Sequence, residues 1–116
     1  MAYKEIKNIV RNVKKRIKHD KNRPYKVRTK DGDISRHGAQ EFENREIDQM
    51  LTQPLGFKEF SRLPEGDKRK TWRFAAVLPP DALKLGDQVQ YKGDWFEVRE
   101  INDWDTIMSA HIASVK

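Results

Sequence analysis

The chain has 116 residues, no Cys, and equal shares of hydrophobic and charged residues at 36% each. That is enough for one domain with one modest core, and it excludes disulfides and thiolate metal sites. No apolar run approaches a membrane span and no signal-peptide core is present, so the expectation is a soluble protein made inside the cell.

The net charge of +6 hides an asymmetry. Residues 1–30 hold 12 Lys/Arg and 2 acids, a net of +10; residues 31–116 hold 12 Lys/Arg and 16 acids, a net of −4. The chain therefore divides into a basic arm over residues 1–23 and a slightly acidic β domain over residues 24–116. Such an arm suits nucleic acid or an acidic protein surface.

Taken in order, Ile6, Ile9, Val10, Val13 and Ile17 fall at helical spacing, which predicts an amphipathic helix over 3–19. Lys4, Lys7, Arg11, Lys14, Lys15, Arg16 and Lys18 crowd its other faces, so the helix is weak alone. Three readings fit it: a helix packed on its own domain, an arm that orders only in an assembly, or a nucleic-acid contact. Pro24 breaks the chain. Residues 25–29 alternate as a short, edge-like strand, Asp31–Gly32–Asp33 signals a turn, and Ile34 to Glu43 reads as a polar, mobile loop.

A weak strand follows over 45–53, and Gln53–Pro54–Leu55–Gly56 breaks it. Phe57 to Leu63 predicts one or two helical turns, with Pro64 and Glu65–Gly66–Asp67 turning the chain. Residues 71–78 form a clear strand that Pro79–Pro80 stops. From Gly86 the chain reads as a three-strand meander over 87–92, 94–101 and 107–115, with a turn at Lys92–Gly93–Asp94. The fold expected is mainly β: a small barrel or sandwich of five to six short strands, with a short inserted helix and a basic helical N-terminal arm.

Chemistry is hard to assemble from these residues. His19, His37 and His111 have no ligand spacing and no nucleophile beside them. Asp103 and Asp105 flank Trp104 and suit turn-capping better than cation binding or acid–base work. No glycine loop cradles a phosphate. Trp72, Trp95 and Trp104 suit core or protein-interface positions better than base stacking. No catalytic, metal or cofactor site is expected.

Two blocks carry a resemblance. Gln53–Pro54–Leu55 with Phe60–Ser61–Arg62–Leu63–Pro64–Glu65–Gly66–Asp67 is the first, followed by the aromatic strand Thr71–Trp72–Arg73–Phe74. The hairpin from Gly86–Asp87 to Val98, closed by Asn102–Asp103–Trp104, is the second. Together, over about residues 46–116, they resemble the small head–tail connector proteins of tailed phages and prophages, of the head-completion or stopper type. The resemblance implies a small β-barrel without enzyme activity, assembled as a homo-oligomeric ring in the virion neck after synthesis in the host cytoplasm. Its partners would be the portal or adaptor ring and the tail proteins, with non-specific contact to packaged DNA and no membrane.

The sequence departs from that pattern in its longer, more charged helical N-terminus and at Asp105–Thr106–Ile107–Met108. The alternatives are a tail-completion or minor tail protein, and a nucleic-acid-binding β-barrel. The interface candidates are Ile6, Val10, Val13, Lys14 and Arg16 on the arm, Arg62, Glu65, Lys68 and Arg69 on the inserted loop, and Trp72 and Trp104.

Overall fold

The computed structural model describes residues 3–34 and 40–115; within these, the side chains of residues 3, 4, 31–34, 40 and 41 are not described. The chain runs α1 (Tyr3–Lys18), β1 (Tyr25–Ile34), β2 (Gln40–Ile47), β3 (Met50–Pro54), α2 (Phe57–Ser61), a single 3-10 turn at Asp67–Arg69, β4 (Trp72–Val77), β5 (Gln88–Tyr91), β6 (Asp94–Asp103) and β7 (Met108–Ser114). The mainly β fold with a helical arm is the one expected. All seven strands join one antiparallel sheet in the order β2-β1-β5-β6-β7-β4-β3, curled into a half-barrel.

Three details differ from the sequence expectation. The single strand expected over 45–53 is two, β2 and β3, separated by Asp48–Gln49 and lying at opposite edges of the sheet. Three chain steps join Ile47 to Met50, a reach of at most roughly 11 Å, so the two edges converge there and the sheet must curl. The Asp31–Gly32–Asp33 turn is instead an irregular continuation of β1, whose register with β2 shifts between Lys30 and Ile34. The loop expected over 34–43 gives way to β2 from Gln40, while residues 35–39 and His37 lie outside the described residues.

Register explains which side chains face inward. Tyr25 and Val27 of β1, Val89 of β5, Phe96 and Val98 of β6, and Ala110 and Ile112 of β7 line the concave face. Leu83, from the loop between β4 and β5, plugs that face and is itself buried. A bulge in β6 between Val98 and Glu100 inserts one residue, so that Ile101 packs against the same core although it lies three positions on. The β5–β6 turn places Lys92 and Gly93 at positive φ of 50° and 87°. Two left-handed residues match the twist of a tight hairpin, and glycine accepts that conformation freely.

Among the described residues, the convex face is covered at one end only. Val13 and Ile17 of α1 bury against Leu51, Ala76, Leu78 and Ile107, with Ile6, Val10 and Phe74 packed at the margin. The helix is thus an element of the fold, docked by the stripe that its spacing predicts. Full burial of an aliphatic side chain contributes about 1.5–3 kcal/mol, which offsets the repulsion among its many cations. The Arg16 guanidinium also donates to Gln53 Oε1 at 2.9 Å. Because α1 covers the outside of β4 and the core lies inside it, β4 reads from Phe74 onward as a continuous apolar run rather than an alternating one.

Candidate interaction surfaces

Several expected interface residues serve the interior. Val13 is buried beneath α1, and Ile6 and Val10 are half-buried beside it. Trp72 is buried at the start of β4, where its indole N–H donates to the Asp67 carbonyl at 2.8 Å. That bond ties the Pro64–Asp67 turn to the sheet. The Asp67 carboxylate in turn lies 3.9 Å from the Arg99 guanidinium of β6.

The remaining expected residues are accessible. Lys14 and Arg16 lie exposed on α1, and Arg62, Glu65 and Arg69 are exposed on the segment between β3 and β4. Lys68, partly covered, pairs with Glu65 at 3.2 Å, a local contact three residues apart. The short helix α2 in the same segment buries none of its residues, and Phe57 on it is 84% exposed. An aromatic held in water on a helix that buries none of its residues is an unsatisfied apolar surface.

Trp104 stands at the β6–β7 turn, 41% exposed. The turn around it is built from its own backbone: the Asp105 N–H donates to Asp103 Oδ1 at 2.9 Å, and the Trp104 N–H to the Ile107 carbonyl at 2.9 Å. Asp103 therefore sets the turn, as its spacing suggests, and Asp105 takes a positive φ of 65°. Trp104 and Ile6, far apart in sequence, line one groove of about 420 Å³ with Ile9, Phe74 and His111. The His111 ring lies 6.2 Å from that of Phe74, and its Nδ1 is 3.3 Å from Glu100 Oε2. His19 is exposed just beyond the C-terminus of α1, far in sequence from this groove.

Two clusters on the other half of the sheet carry no sequence signal strong enough to single them out. On the convex face, the Arg28 guanidinium lies between the rings of Trp95, at 4.0 Å, and Phe42, at 4.4 Å, while its Nε donates to Gln88 Oε1 at 2.7 Å. The three rows meet only through strand register, which pairs Arg28 with Gln88 and Lys30 with Phe42. On the concave face, Arg45 of β2 donates to Thr29 Oγ1 at 2.6 Å, to the Ala82 carbonyl at 2.9 Å and to Asp87 Oδ2 at 2.9 Å. Asp87 is 1% exposed and also accepts the Lys84 N–H. Arg45 thus straps edge strand β2 to the loop that plugs the core.

Near the end of α1, the Tyr25 hydroxyl donates to the Asp20 carboxylate. Burial, then that hydrogen bond, push the phenol well above its ordinary range, so Tyr25 stays protonated and serves as an anchor between the helix and β1. Among the described residues no group of three or more His, Asp or Glu is placed to hold a metal ion, and no helix is long and apolar enough to cross a membrane.

Beyond the Val27–Val89 and Arg28–Gln88 pairs, β1 keeps β2 as its sole neighbour among the described residues, and the two continue as a ribbon to the Ile34–Gln40 pair. An isolated two-stranded ribbon is marginal in water. Such a ribbon and the exposed α2 segment have little support of their own among the described elements. No protein-family model matches the chain, and no curated protein matches it at a significant level.

Proposed function

We propose that the chain is a non-enzymatic structural subunit of the phage neck, joining the portal or adaptor ring of the head to the tail. The observation that carries the reading is the presence in one chain of both connector-like blocks, residues 53–67 and 86–104. The arrangement of accessible groups supports it. A ring subunit needs two different surfaces for its neighbours, because contacts around a closed ring run head to tail. The projecting β1–β2 ribbon and the α2 segment with exposed Phe57 are separate features suited to that use. Segments with little support of their own are the usual ones to order on assembly. Arg62, Glu65, Lys68 and Arg69 are the residues of the α2 segment expected to meet a neighbouring ring, and Trp104 the residue expected to do so at the β6–β7 turn.

The test is capture of the purified chain by portal–adaptor rings from the same genome, followed by sedimentation. The chain is expected to co-sediment with the rings. Replacement of Arg62, Glu65, Lys68 and Arg69 by Ala is expected to reduce capture at least tenfold while the thermal melt stays unchanged. A folded chain that never joins the rings contradicts the proposal, and capture by tail tubes alone assigns it instead to tail completion.

A further inference from the structure

One exposed flank of α1 carries a feature that the fold does not need. Lys7, Arg11, Lys14 and Lys18 step by four, three and four residues, and steps of three and four return a helix to nearly the same side. Tyr3–Lys18 is one unbroken helix, and all four residues are exposed on it. At 1.5 Å per residue the row is roughly 16 Å long. Lys15 flanks it, and the one acid in the helix, Glu5, sits in the first turn.

Most of the charge in this row goes uncompensated. Among the described residues, carboxylates lie beside Arg23, Arg45, Lys68 and Arg99, whereas Arg11, Lys14, Lys15 and Lys18 enter no ion pair. Like charges one turn apart destabilise a helix. Here the buried Val13 and Ile17 hold the helix down, so the row is a fixed line of cations rather than a frayed tail.

We propose that this row binds the phosphodiester backbone of duplex DNA without regard to sequence. An acidic protein surface is the competing partner, and the composition of the row speaks against it. Protein interfaces concentrate aromatic residues and are depleted in Lys. This row is dominated by Lys and has no apolar residue within it. Neutralising phosphates needs only positioned cations, and contacts of that kind fix orientation without reading bases. The inference extends the neck reading, in which a channel carries DNA, but it stands on the geometry of α1 alone.

Fluorescence anisotropy of the full chain with two 30-bp duplexes of unrelated sequence tests it. Micromolar binding is expected at 50 mM salt, equal for both sequences, with a log–log salt slope of about −3 to −4 if Arg11, Lys14, Lys15 and Lys18 each neutralise a phosphate. Substituting Arg11→Gln, Lys14→Gln and Lys18→Gln together is expected to weaken binding at least tenfold and to flatten the slope by about 2 to 3. Lys14→Arg with Lys18→Arg keeps the charge and is expected to bind as the parent does. Circular dichroism checks that each variant keeps its helix. Absence of binding at 50 mM salt overturns the proposal, as does binding that the triple substitution leaves unchanged. Tight binding to polyglutamate with none to the duplex overturns it in favour of an acidic protein. None of these assays contains a portal ring, so their failure is separable from failure of the neck reading.

Discussion

The two ends of the sheet are held by different physics. At the β3–β4–β7 end both faces are buried, one against the concave core and one beneath α1. At the β2–β1–β5 end the concave face is buried, but the convex face carries Lys26, Arg28 and Lys30 with two flanking aromatics. The first end coheres chiefly through apolar area. The second relies on polar ties, chiefly the Arg45–Asp87 strap and the Arg28 stack. The contrast also separates roles: the covered end is scaffold, while the β1–β2 ribbon continues past the last strand that supports it.

The largest loss on substitution is expected at the covered end. Ile17 is 1% exposed between α1 and the sheet. Ile17→Ala is expected to cost about 3 kcal/mol, read as a lower denaturant midpoint, and to expose α1 amides to hydrogen exchange. A cost near zero would mean that α1 is an appendage and that both ends of the sheet are alike. At the other end, Arg45→Ala leaves the Asp87 carboxylate buried without its cation. Arg45 is itself partly solvated, so the expected loss is about 2 kcal/mol, below that of a fully buried pair. Hydrogen exchange is expected to quicken in β2 first and leave β4 unaffected. The smallest effect belongs to the convex stack. Arg28→Ala removes a solvent-facing cation between two rings and is expected to cost about 1 kcal/mol or less. A larger loss would show that this open face contributes to stability on the scale of the covered one.

The contrast also accounts for what could be read in advance. The α1 stripe was legible because its burial follows helical period, and β4 because burial on both faces makes it apolar at every position but Arg73. The meander was legible from its alternation and the Lys92–Gly93 turn. The β2–β3 division was not, because Asp48–Gln49 carries no turn signature and only tertiary pairing sends the two strands to opposite edges. The continuation of β1 through Asp31–Gly32–Asp33 was hidden for a related reason: a ribbon paired on one side tolerates residues that usually mark turns. Of the expected interface residues, Trp72 and Val13 belong to the interior, since a large apolar side chain signals burial without saying whose surface buries it. The Arg28 stack and the Ile6–Trp104 groove needed strand register and helix docking to bring distant residues together.

Imaging the assembled particle is the sharpest test of the proposed neck role. If the proposed neck role holds, cryo-electron microscopy of particles made from the genome that encodes the chain will show a ring of half-barrel subunits between portal and tail. If α1 binds DNA as proposed, its basic row will face the channel. Neck density that is fully accounted for by other chains, with this one absent from the particle, would contradict the account.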